Sequence, residues 1–243
     1  MTRDLDRYAE EYQRGYQGFE RVLVGYRRRK VLERLETWPH RSILEAGCAL
    51  EPLFLHATGW ERFCVAEPTH AFAASARRRA LPGVRIEEVP LEALTSAEPF
   101  ELVVLSSLLH EVEDPRPLLQ AARELCAPGG VVHVNVPNAR SLHNLLGVEM
   151  GVIPDPFARS ELARSLQRTR TFDLTSLGAL ANDAGFEVVA SGSYLLKPFT
   201  HAQMTRLLDE KIVSAQVLDA LYSITGKAFQ DAGAEIFVDL RPR

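Results

Sequence analysis

The sequence has no excess of basic charge: 28 Lys and Arg stand against 32 Asp and Glu, a formal net charge of −4. Nucleic-acid binders need a cationic footprint to neutralise phosphates, so a polyanionic partner is disfavoured. Cysteine is scarce, and Cys48, Cys64 and Cys126 lack the close pairing of zinc or redox motifs. Their odd number does not suit a disulfide framework either, and they read as reduced thiols of a cytoplasmic protein. No two of the seven histidines stand one helical turn apart, so no metal is expected. Long apolar runs are missing too. No stretch reaches the roughly 18 residues of a membrane span, and the opening Arg3, Asp4, Asp6 and Arg7 holds no signal-like apolar core. These absences predict a soluble protein with neither a membrane nor a nucleic acid as partner.

What is present is enough apolar material for one sizeable core: 243 residues, 46% of them hydrophobic. A single domain over residues 1–243 is expected. Apolar residues at helical spacing between Leu5 and Leu35 predict one or two leading helices over residues 1–41, ended by Trp38-Pro39. The next segment, 42–138, reads as a run of βαβ units. Strands are predicted at Ser42–Ala46, Arg62–Ala66, Val84–Val89, Glu101–Leu105 and Val131–Val136, with helices at Leu53–Gly59, Ala71–Ala80 and Arg116–Leu125. Strands this continuously apolar belong to a parallel sheet covered on both faces. Residues 139–172 form too long a link for this rhythm and read as an insertion over the site. In the remainder, 173–243, a helix at Leu174–Ala184 stops at Gly185, strands follow at Phe186–Leu196 and Glu235–Leu240, and a helical insertion fills 202–230.

The chemistry begins where Ser42-Ile43-Leu44-Glu45-Ala46 runs into Gly47. A glycine after the first strand lets backbone approach a ligand, and the start of the helix expected next offers free amide groups. Twenty residues beyond Gly47 the second strand ends at Glu67, placed to accept hydrogen bonds from a ribose diol. Together they mark a nucleoside-type site.

From here the chain resembles the class I S-adenosylmethionine-dependent methyltransferases, in particular the branch of ubiquinone-type and other small-molecule enzymes. Leu44-Glu45-Ala46-Gly47-Cys48 is similar to the first family motif and Val65-Ala66-Glu67-Pro68 to the second. Glu101–Leu105, Leu109–Pro115, Ala127-Pro128-Gly129-Gly130 and Ala184–Val188 match further blocks in order. The resemblance implies an α/β, Rossmann-like, seven-stranded, mostly parallel sheet with helices on both faces and helical insertions. It implies S-adenosyl-L-methionine as cofactor and S-adenosyl-L-homocysteine as product. It places Glu45, Gly47, Cys48 and Ala49 at the methionine part and Glu67 at the ribose, with Pro68, Leu91, Ser106 and Ser107 beside them. The chain departs from the family at Cys48-Ala49-Leu50-Glu51, where further glycines are usual, and at His110-Glu111, where many relatives have the two types in opposite order. Glu51-Pro52 reads mainly as a helix start, with contact to a cofactor ammonium as the alternative.

A sulfonium methyl is already activated, so an enzyme aligns a nucleophile behind it and removes a proton where the acceptor is neutral. His110 is the first candidate base, just past the fourth strand, and Glu111 is the alternative that the reversed order leaves open. Tyr12, on a Tyr8-Tyr12-Tyr16 helical stripe, together with Asn138 and His143 after the fifth strand, is a candidate for the acceptor pocket; packing and loop capping compete at each. His133 alternates into the sheet and reads as a core histidine. Arg27 to Lys30 read as a solvated helix face, apart from Arg28, which is also placed to meet a cofactor carboxylate. Leu105-Ser106-Ser107-Leu108 lacks the acid or amide, two prolines and aromatic of enzymes that methylate base or glutamine amino groups, favouring a small-molecule acceptor. Two rivals stand beside this reading: a non-catalytic partner subunit of the same fold, and an NAD-dependent oxidoreductase, against which Ala49 and Pro52 occupy glycine positions of G-x-G-x-x-G.

Overall fold

The computed structural model describes residues 4–159 and 168–243. Two helices lead, α1 (Leu5–Gly15) and α2 (Gly18–Leu35), with Asp4 capping α1 by accepting the Arg7 amide. Next come β1 (Ser42–Ala46), β2 (Arg62–Ala66), α3 (His70–Arg79), β3 (Val84–Glu87), β4 (Phe100–Ser106), α4 (Arg116–Leu125) and β5 (Cys126–Pro137). Then α5 (Leu142–Glu149), α6 (Leu174–Asp183), β6 (Phe186–Tyr194), α7 (His201–Asp209), α8 (Ala215–Ala228) and β7 (Glu235–Pro242) complete the described elements.

The strands form one seven-stranded sheet in the order β3-β2-β1-β4-β5-β7-β6. All pairs are parallel except those of β7, which runs antiparallel between β5 and β6. Alternate residues of each strand feed different faces, as the two-residue period requires. Leu44, Val103 and Val132 pack with Leu118 and Leu119 of α4 and Leu177 of α6 on one side; Ile43, Phe63 and Leu102 pack with Val31 and Leu35 of α2 on the other. Both faces are therefore dry, and the unbroken apolar character of β1 and β4 follows.

One predicted element shrinks. The helix expected at Leu53–Gly59 is a single 3-10 turn, Leu53–Leu55: the Glu45 carboxylate caps its start by accepting the Leu53 amide, and the chain leaves helical geometry at His56, φ −127°, and turns at Gly59, φ +81°. The insertion at 139–172 carries α5, and its residues 160–167 lie outside those described. Its far end returns to the loop after β4: the Thr169 amide donates to the His110 carbonyl at 3.2 Å and its hydroxyl to the Val112 carbonyl at 2.6 Å. Strand order reverses between β1 and β4, so a crevice opens beyond their carboxyl ends, where α/β sheets hold ligands.

Candidate active site

The crevice is a cleft of about 1030 Å³ measured out to its open mouth. Its floor is the backbone after β1. Gly47 sits at φ +74°, and a Cβ there would meet nothing nearer than the Leu108 side chain at 3.6 Å, so the bare backbone faces open space. Ala49 at φ +45° and Ser107 at φ +57° are left-handed without being glycine, a strain that concentrates at ligand sites.

Two buried carboxylates face this floor. One Glu67 oxygen accepts the Thr69 amide at 2.9 Å and the other the Ala49 amide at 3.1 Å. Burial raises the Glu67 pKa, against the pull of the Thr69, Ala49 and Cys48 amides. Glu45 accepts the Leu53 amide through both oxygens, at 2.9 and 3.1 Å. Burial pushes its pKa up to about 8; the Leu53 bond opposes this and the Glu67 charge adds to it.

The roof comes from the leading helices. Tyr8, Tyr12 and Tyr16 line the cleft, Tyr12 and Tyr16 stacked at 6.2 Å, with Tyr8 and Tyr12 meeting the Phe72 ring edge-on at 6.3 and 5.7 Å. At the rim Arg28 and Glu51 stand 3.9 Å apart. Arg27 corrects the expectation of a solvated face: it is buried, donating to both Glu235 at 2.7 Å and Glu20 at 2.7 Å.

The cleft brings together Glu45, Gly47, Cys48, Ala49, Glu67 and Pro68, with Ser106, Ser107, Glu111 and Tyr12 on the same walls. Four predicted residues are not on those walls. Leu91 opens a 3-10 turn and packs with Leu44 and Leu94 in the core, as an apolar side chain beside the sheet does. Asn138 spends its amide on the loop before β7, donating to the Asp231 and Gly233 carbonyls at 2.8 and 2.9 Å and accepting the Arg140 amide at 2.9 Å. His143 pairs with the Ser141 hydroxyl at 3.0 Å, its pKa pushed down to about 3 by burial and the Lys197 and His201 charges. His110 is buried, and Glu111 takes the place on the cleft wall, with its Oε1 3.8 Å from His110 Nε2 and 3.5 Å from Arg168 Nε. Arg168, Phe72 and Thr69 also line the cleft and were missed. Phe72, on the cleft side of α3, was legible only as core, and nothing near Arg168 marks it.

The family model described as "Methyltransferase domain" matches residues 16–191, well over half of the chain. The chain belongs to the S-adenosylmethionine-dependent methyltransferases. No curated protein matches this methyltransferase. Solved structures share its fold at low identity. A putative methyltransferase in complex with the Trm112 activator of Haloferax volcanii is 12% identical, covers 100% of each chain and has a TM-score of 0.63. A possible histamine N-methyltransferase of Thermotoga maritima is 19% identical over 93% of this chain and 98% of its own, TM-score 0.57. The N-methyltransferase NodS of Bradyrhizobium japonicum, bound to S-adenosyl-L-homocysteine, is 13% identical over 86% of this chain and 81% of its own, TM-score 0.51.

The residues of this methyltransferase fit the family's cofactor. Open space over Gly47 admits close backbone approach, the Glu67 carboxylate on the cleft wall suits vicinal hydroxyls, and two buried carboxylates suit a ligand carrying a sulfonium and an ammonium.

Proposed function

We propose that this methyltransferase moves the methyl group of S-adenosyl-L-methionine to an oxygen, nitrogen or carbon atom of a small molecule. The observation that carries the reading is the pair of buried carboxylates, Glu45 and Glu67, converging on bare backbone at Gly47. Glu67 would hold the ribose, while Gly47, Cys48 and Ala49 line the methionine part, and Arg28 with Glu51 faces its carboxylate and ammonium. Pro68, Ser106 and Ser107 complete the wall. The bound cofactor supplies an electrophilic methyl on a positive sulfur. The chain's own residues then align the acceptor and exclude water, work that Tyr12 and Tyr16 are placed to do from the roof.

Glu111 is the group we assign to the acceptor's proton, because its carboxylate lies on the wall; His110, 3.8 Å behind it, acts through it. The described parts of the insertion, residues 139–159 and 168–172, we read as lying over the site, tied to the His110 carbonyl through Thr169. Net charge −4 supports a small acceptor over a nucleic acid, and the free, buried thiols of Cys48, Cys64 and Cys126 agree with a cytoplasmic setting. No described helix is long and apolar enough to cross a membrane. The test is a transfer assay against panels of amines, phenols and carboxylic acids with wild type, Glu111→Gln and His110→Asn. Glu111→Gln is expected to lose about 10²–10⁴-fold in rate with cofactor affinity intact. Full rate in Glu111→Gln with loss in His110→Asn would reverse the assignment.

A further inference from the structure

Behind the cleft floor runs a chain of buried polar side chains that the reading above does not use. Asn135, at the end of β5, accepts the Ser107 amide at 3.1 Å and the Ser106 hydroxyl at 3.1 Å through its Oδ1. Its Nδ2 lies 3.2 Å from His133 Nε2, and His133 Nδ1 lies 2.7 Å from Asp239 Oδ1. The other Asp239 oxygen accepts from Arg34 and Trp38, each at 2.7 Å.

The orientation of Asn135 follows from the Ser107 amide, which donates to the Asn135 main-chain carbonyl at 2.8 Å and to its Oδ1 at 3.1 Å. A backbone N–H cannot invert, so an amide nitrogen in place of Oδ1 would face it donor to donor, and the Asn135 Nδ2 is turned to His133. Nε2 of His133 is then an acceptor, and its single proton sits on Nδ1, donated to Asp239. Asp239, with three donors, is an anion. The cleft end of this chain is Ser107, whose φ of +57° costs a non-glycine residue about 1 kcal/mol.

We propose that Asn135, oriented by His133 on Asp239, is a positioning residue that fixes the Ser107 backbone for the cofactor. It extends the cofactor reading of the cleft and rests on it. The ionisable groups facing His133 are Asp239 of β7 and, behind it, Arg34 and Lys30 of α2, both lying over the Phe237 ring that stacks on His133; β4 contributes Val104.

The near-isosteric Asn135→Asp variant separates orientation from packing. It keeps an acceptor for Ser107 but sets a carboxylate oxygen against the Nε2 lone pair, a conflict relieved when the facing pair takes up one proton. The affinity of Asn135→Asp for S-adenosylhomocysteine, divided by that of wild type at each pH, should therefore fall at least about tenfold from pH 6 to pH 9.5. His133→Gln, whose amide both donates to Asp239 and accepts from Asn135, should stay within about threefold of wild type, while His133→Leu loses about tenfold or more. Calorimetry reads the affinities, and melting without ligand at each pH identifies any variant that fails to fold. A flat ratio for Asn135→Asp, or His133→Gln as weak as His133→Leu, overturns the proposal; if Asn135→Asp does not fold, the two His133 variants decide. A wild-type chain that does not bind the ligand overturns the cofactor reading itself, and this inference with it.

Discussion

Replacing Glu45 by Gln tests whether the cleft is built to receive positive charge. Its carboxyl is buried and titrates at about 8 in place of 4.5, chiefly through burial. That shift corresponds to a stability term on the order of 5 kcal/mol, an upper bound for a buried group. Because the folded value lies above the unfolded one, folding takes up a proton. The contribution is complete below about pH 4.5 and is lost as pH rises through about 8. The wild-type melting temperature should accordingly fall more steeply between pH 6 and 9 than that of Glu45→Gln. A sulfonium or ammonium in the cleft favours the carboxylate, so the cofactor should bind more tightly from pH 6 to 7.5 and expel up to about one proton at pH 7. Calorimetric titration with S-adenosylmethionine in buffers of different ionisation enthalpy counts that proton. No proton release by wild type, or equal release by Glu45→Gln, would refute the reasoning.

Ala49→Gly should stabilise the free chain by less than about 1 kcal/mol, since relief of the φ +45° backbone exceeds the added unfolded-state entropy only slightly; a lower melting temperature contradicts the strain assigned there. Arg27→Met strands the buried Glu235 carboxylate and should cost about 3–5 kcal/mol in denaturant unfolding. Adding Glu235→Gln should recover part of that loss, and a strictly additive double variant would show the pair uncoupled.

How much was legible in the sequence depended on how local the cause was. Ser42–Ala46 and Arg116–Leu125 are found with the bounds predicted, because apolar runs and helical spacing were enough. The stop at Gly185 follows from its left-handed φ of +81°. Glu45, Gly47 and Glu67 met in one cleft because strand ends in a parallel sheet meet there whatever surrounds them. Other outcomes depended on distant partners. Arg27 went inside because Glu235, 208 residues away, waits there. Asn138 was claimed by carbonyls at 231 and 233. The His110-Glu111 order was noted as an inversion, but which side chain reached the wall depended on the loop geometry after β4. Arg168 enters the cleft from a segment with no periodicity to read.

The central claim is that the cleft binds S-adenosylmethionine through Glu67, and calorimetric titration of wild type and Glu67→Ala with S-adenosylhomocysteine tests it most directly. Two charge-assisted hydrogen bonds to vicinal hydroxyls are worth about 1.5 kcal/mol or more together, so Glu67→Ala should bind more than about tenfold more weakly while melting as a folded chain. Equal affinity in the two proteins, or binding of NADH in place of S-adenosylhomocysteine by wild type, would contradict the account.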